Sequence, residues 1–147
     1  MDINLLLEDI RECIDPLIKN KNIKINMKLT KEETYIYADY IRLKQVFIDI
    51  IKNSVEDFDK THKQRMINID VSLKRNKVIT TIRDNGKGMT RKELEELQQP
   101  IYSPGGKNKA LGITLSNEII KCHKGEIEFF SKINKGTTTI ITLPYEI

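Results

Sequence analysis

The chain has 147 residues, 39% of them hydrophobic and 31% charged, and a formal net charge of +4 at pH 7. That length suits a single hydrophobic core, and neither an apolar stretch of membrane-span length nor a secretory leader is visible, so a cytoplasmic domain is expected, whether or not a longer protein around it is membrane-anchored. Lysines gather at 19–28 and 60–65, but acidic residues are nearly as numerous and aromatic residues do not interleave with the basic ones, which argues against a nucleic-acid surface.

In chain order, residues 3–18 place apolar side chains at 3, 6, 7, 10, 14, 17 and 18, a helical face that runs out at Asn20-Lys21-Asn22. Ile23-Lys24-Ile25-Asn26-Met27-Lys28-Leu29 alternates and reads as a strand with one wet face, and Tyr35-Ile36-Tyr37 as a second, short strand. From Arg42 to Phe58 the apolar positions 43, 46, 47, 50, 51, 54/55 and 58 form one stripe of a helix. Residues 67–73 and 77–83 make a hairpin around Arg75-Asn76, and residues 126–131 and 137–143 another around Asn134-Lys135-Gly136. Thr90, with Glu93 three residues on, has the spacing of a capping box at a helix start. Pro100, Pro104, Gly105 and Gly106 break regular structure, so residues 98–110 read as a mobile loop. The order helix, strand, strand, helix, hairpin, helix, helix, hairpin predicts an α/β two-layer sandwich, a mixed and mostly antiparallel sheet covered on one face by helices, in a single domain spanning residues 1–147.

Two segments carry chemistry. Asp84-Asn85-Gly86-Lys87-Gly88-Met89 follows the β-branched run Val78-Ile79-Thr80-Thr81-Ile82. A carboxylate at a strand end accepts from an exocyclic amine, and glycines beside it let backbone approach a purine ring; the same Asn-Gly pair is also a common hairpin turn. On the 42–58 helix Asp49 and Asn53 are four apart and share a side, and an amide oxygen suits Mg²⁺, which takes few protein oxygens beside phosphate and water. Cys13 and Cys122 lack metal-ligand spacing and read as reduced thiols; His62 and His123 form no metal pair.

These segments, with Asn117-Glu118-Ile119-Ile120-Lys121-Cys122-His123-Lys124-Gly125 and Lys135-Gly136-Thr137-Thr138-Thr139-Ile140-Ile141-Thr142-Leu143-Pro144, resemble the ATP-binding domain shared by sensor histidine kinases, DNA gyrase and MutL, and most of all histidine kinases of the sporulation type. Gln45-Val46-Phe47-Ile48-Asp49-Ile50-Ile51-Lys52-Asn53-Ser54 is similar to that family's N box, and residues 84–88 to its first glycine box. The resemblance implies a catalytic domain that binds ATP and Mg²⁺ and passes the γ-phosphoryl to a histidine on a separate dimerisation and phosphoacceptor domain, with a response regulator downstream. It implies that Asp84 accepts from the adenine amine, that Gly86, Gly88 and Met89 shape the base site, that Asn53 holds the metal, and that Gly112 lies beside the phosphates. Tyr102, Lys107 and Leu111 belong to the implied lid, and Thr137 or Thr138 would support Asp84 through water.

Two departures stand out. Where the family has G-T-G-L-G-L this chain has Asn108-Lys109-Ala110-Leu111-Gly112-Ile113, with one glycine of three, and Ser103-Pro104-Gly105 replaces the Thr-Thr-Lys that follows the aromatic. Lys107 and Lys109 either supply charge to phosphate or are solvated loop lysines. Asp49 stands where histidine kinases have Asn and the family's serine kinases and ATPases have Glu, so it is either a general base or an outer-shell group of the metal. A degenerate nucleotide-sensing or partner-binding domain, and a serine kinase or ATPase of the same fold, are the alternatives.

Overall fold

The computed structural model describes residues 1–99 and 108–146, and for residues 108–111 the backbone alone. The elements in order are α1 (Ile3–Ile18), β1 (Ile23–Lys28), α2 (Tyr40–Glu56), β2 (Arg65–Lys74), β3 (Lys77–Asp84), α3 (Arg91–Gln98), α4 (Asn108–Cys122), β4 (Glu126–Lys132) and β5 (Gly136–Pro144). The strands form one sheet in the order β1-β2-β3-β5-β4. β1 runs parallel to β2, and the other neighbours are antiparallel. The parallel pair needs a crossover, which α2 supplies.

Strand alternation decides which face is covered. Ile67, Ile69 and Val71 of β2, Val78, Thr80 and Ile82 of β3, and Thr139, Ile141 and Leu143 of β5 are all buried. Their sequence neighbours, such as Asn68, Asp70, Thr81 and Thr142, are partly or fully exposed. The buried face meets Ile3, Leu6, Leu7, Ile10 and Ile14 of α1 and Leu43, Val46, Phe47, Ile50 and Ile51 of α2, in one core. On the wet face Asn26 Nδ2 donates to Asn68 Oδ1 at 3.0 Å, tying the paired strands β1 and β2 together.

The turns follow from local chemistry. Arg75 and Asn76 both have positive φ, 49° and 61°, as a two-residue hairpin with right-handed strands requires. Thr90 accepts from Glu93 N–H, and the Glu93 side chain accepts from Thr90 N–H, so the capping box is complete.

Two expectations need correction. Tyr35-Ile36-Tyr37 is not a named strand: Tyr35 makes one isolated bridge, to Asp2, and α1 begins at the next residue, Ile3, so the ladder has nothing to extend along. The segment is fastened instead by Ile36 N–H to Met1 O at 2.8 Å and Glu146 N–H to Tyr35 O at 2.8 Å. The loop expected over 98–110 is shorter at both ends, because Gln98 closes α3 and α4 already begins at Asn108. The Pro/Gly run stops at Gly106, and Asn108-Lys109-Ala110-Leu111 holds no helix breaker. Residues 100–107 lie outside the described residues. Among the described residues no helix is long and apolar enough to cross a membrane.

Candidate functional site

Asp84 ends β3 and is 2% exposed. Its Oδ1 accepts from Gly86 N–H at 2.9 Å and from Thr137 N–H at 3.3 Å, so two backbone amides from different elements fix the carboxyl. The turn that follows is held from below. Asn85 accepts from Met66 N–H and donates to Gln64 O, both at 2.8 Å, and Lys87 N–H donates to Asp57 O at 2.8 Å.

The glycines of this turn have a reason the sequence did not suggest. A Cβ on Gly86 would stand 2.6 Å from the Asp57 carbonyl and carboxylate oxygens, and one on Gly88, whose φ is +70°, would stand 1.9 Å from Lys132 O. Both are required by contacts within the protein, whatever else approaches them. Gly136, with φ +88°, is a third: its Cβ would lie 2.0 Å from Asp84 O. At Gly112, by contrast, nothing among the described residues lies within 4 Å of such an atom.

A narrow cavity of about 20 Å³ opens beside Asp84. Its polar wall is Asn53, Ser54 and Asp57 from α2, with Thr137 and Thr139 from β5. Its apolar wall is Ile50, Met89, Leu97, Ile113 and Phe129, of which the last four form a small cluster separate from the main core. Met89 is kept there by its N–H, which donates to Ser131 Oγ at 2.8 Å. That volume is room for about one water molecule, so a purine enters only if the apolar wall gives way. Leu97 is the one buried residue of α3, which makes α3 the weakly anchored part of that wall. Wider clefts of about 610 and 680 Å³ lie elsewhere, but neither includes Asp84, Asn53 or the glycine turn, and volume alone does not locate the chemistry.

Burial, together with the hydrogen bond to and negative charge of the neighbouring Asp57 carboxyl, pushes Asp84 up to about 8, against the opposing pull of Gly86 N–H and the Ser54 hydroxyl. Burial and the neighbouring carboxyl thus favour the protonated form of Asp84. Asp57 is 1% exposed; its Oδ2 accepts from Gly88 N–H at 3.3 Å and from the Thr137 hydroxyl at 3.4 Å, while its Oδ1 is buried without a partner.

Among the sequence-predicted residues, Asp84, Met89 and Asn53 come together on this cavity, with Gly86 and Gly88 in the turn beneath. Thr138 does not join them. It falls on the opposite face of β5 from Thr137 and Thr139, because successive strand residues alternate, and Thr137 is the neighbour that contacts Asp84, through its N–H. Asp49 is partly exposed and outside the cavity lining; its Oδ1 accepts from Gln45 Nε2 at 2.8 Å. Tyr102 and Lys107, and the side chain of Leu111, lie outside the described residues. Gly112 lies within α4. Asp57 was missed. The available signal was a charged residue on the inward continuation of the α2 stripe, one turn after Asn53.

An acidic acceptor against a glycine turn and an unencumbered amide four residues up a helix fit a purine nucleotide. Among the described residues no cluster of three or more His, Cys, Asp or Glu could hold a metal by itself, so a divalent ion near Asn53 would rely on phosphate oxygens.

Comparison with known proteins agrees. The family model described as "Histidine kinase-, DNA gyrase B-, and HSP90-like ATPase" matches residues 38–147. Sporulation kinase B of Bacillus subtilis is 32% identical over 146 residues, 99% of this chain and 33% of its own length; sporulation kinase E of the same organism is 32% identical over 145 residues, 97% of this chain and 19% of its own length. The chain thus spans a third or less of either relative. The catalytic domain of the histidine kinase ThkA superposes with a TM-score of 0.82 at 23% identity, covering 99% of this chain and 93% of that one, a likeness of fold. Acinetobacter baumannii histidine kinase AdeS gives 0.78 at 19% identity, covering 100% and 66%. The chain belongs to the histidine kinase-, DNA gyrase B- and HSP90-like ATPase family, as a sporulation-kinase-like histidine kinase ATP-binding domain.

Proposed function

We propose that this domain binds Mg-ATP and presents its γ-phosphoryl group to a histidine on a separate dimerisation and phosphoacceptor domain, in a two-component pathway whose response regulator is the next recipient. The observation that carries the reading is Asp84, buried at a strand end and held by two backbone amides over a cavity whose other wall carries Asn53.

Phosphoryl transfer asks mainly for positioning and charge neutralisation, so no covalent nucleophile is needed in the domain. Asp84 orients the base through its exocyclic amine. Asn53 offers its amide oxygen on the same side, with no hydrogen bond to the rest of the wall to give up. Met89, Ile113 and Phe129 exclude water from the base once it is seated. Mg²⁺, when bound, neutralises charge on the phosphates. Gly112, in the second turn of α4, puts no side chain between that helix and the phosphates. The segment between α3 and α4 serves as the lid, and the domain works in the cytoplasm, where ATP is supplied.

Asp49 accepts from Gln45 and does not line the cavity, which favours the histidine kinase reading over a serine kinase or ATPase using it as base. A degenerate nucleotide sensor keeps one specific support: a single glycine, Gly112, over residues 108–113. Mixing the domain with labelled ATP and a phosphoacceptor domain of a sporulation kinase decides between them. Acid-labile, base-stable phosphate on the acceptor, and none on this chain alone, supports the kinase. Nucleotide binding without transfer supports the sensor.

A further inference from the structure

The base site holds two carboxyl groups where one would suffice to accept from an amine. Asp57 and Asp84 arrive from different elements, the C-cap of α2 and the end of β3, and both line the same cavity. Each has one oxygen committed: Asp84 Oδ1 to Gly86 and Thr137 amides, Asp57 Oδ2 to Gly88 N–H and the Thr137 hydroxyl. Asp57 Oδ1 is left buried and unpartnered, an arrangement costly for an acceptor unless a proton or a ligand hydrogen faces it.

The polar residues beside the two acids are Asn53 and Ser54 on α2 and Thr137 and Thr139 on β5, and the rest of the lining is apolar, from Ile50, Met89, Leu97, Ile113 and Phe129; among the described residues no Lys, Arg or His lines this cavity. Like charges this close in a buried site share a proton rather than both ionise, and the upward displacement of Asp84 agrees with that.

A lone carboxylate is acceptor-only and would favour a 6-aminopurine, whose exocyclic group donates, over a 6-oxopurine, whose oxygen accepts. A pair with one proton contains a donor and an acceptor, and the proton moves from one carboxyl to the other without gain or loss. Against adenine the carboxylate accepts from the amine and the acid donates to N1; against hypoxanthine the acid donates to O6 and the carboxylate accepts from N1–H. We propose that Asp57 is a specificity-determining residue of the base site, and that with Asp84 it forms a carboxyl pair that reads 6-amino and 6-oxo purines alike. This rests on the nucleotide-binding reading given above and adds to it a relaxed choice at position 6.

The test is calorimetric titration with ADP and with IDP, whose bases differ only along this edge. In Asp57→Asn the amide can accept from Gly88 N–H and donate to Asp84, which fixes Asp84 as a carboxylate acceptor. The wild-type protein should bind ADP and IDP within about tenfold of each other, and Asp57→Asn should widen the preference for ADP by a further tenfold or so, the scale of one hydrogen bond lost to an unpaired group. Wild type that binds ADP but discriminates against IDP as strongly as Asp57→Asn overturns the role of Asp57 and leaves nucleotide binding standing. Wild type that binds neither overturns both. The wild-type ratio alone decides the matter if the variant fails to fold.

Discussion

The two ends of the proposed nucleotide site are built on different principles. At the base end, Asp84, Gly86, Gly88 and Gly136 are locked by the protein's own atoms: a side chain at any of the three glycines would collide with backbone or with Asp57 at 1.9–2.6 Å. At the phosphate end a Cβ on Gly112 would meet nothing within 4 Å among the described residues, Asn53 is partly exposed, and Asp49 accepts from Gln45 on its own helix. The base end is thus part of the fold and cannot drift without loss of stability. The proposed phosphate end is free of that constraint.

The largest effect expected is at Gly136. An alanine there must adopt φ near +88° with its Cβ on Asp84 O, which combines a backbone penalty with overpacking and should cost about 2–4 kcal/mol. Thermal unfolding should show the melting temperature reduced by roughly 5–15 °C; an unchanged value would mean the base end is not held as described. Next comes Asp84→Ala, which removes the oriented acceptor. Its ADP affinity should drop by about 1.5–3 kcal/mol, roughly 10- to 150-fold, in titration of a variant that remains folded by circular dichroism.

Proton linkage separates the ends without touching a glycine. Asp84 holds its proton more tightly folded than unfolded, so its contribution to stability is largest in acid and is lost as pH rises toward about 8. Melting temperatures taken from pH 5 to 9 should therefore decline in wild type, and Asp57→Asn should flatten that decline. A wild-type curve that rises through this window contradicts the shared proton. Smallest is Gly112→Ala. With open space at the Cβ and a helical backbone, it should be stabilising by about 0.5–1 kcal/mol, the mirror image of Gly136→Ala.

The same division explains what could be read from the sequence. α1, α2, both hairpins and the Thr90 cap follow from periodicity and turn chemistry within a few residues, and each was legible with its partners unknown. Asp84 was legible because its motif is contiguous. Asp57 was not: its meaning depends on contact with the 84–88 turn, some thirty residues on, and with Thr137 beyond that. Thr137 and Thr138 were not separable from the sequence, because a strand's period of two turns a single-residue ambiguity into the opposite face. Tyr35-Ile36-Tyr37 looks like a strand by composition, but pairing needs a neighbour long enough, and Asp2 stands alone before α1.

The central claim, that the base end does the holding and the phosphate end adds little, is tested most directly by titrating wild type with ADP and with ATP, both in Mg²⁺. The account predicts that each binds, with dissociation constants within about threefold, a difference under 1 kcal/mol. ATP binding far more tightly than ADP would contradict it, and would assign the residues from Lys107 to Lys109 to the phosphates.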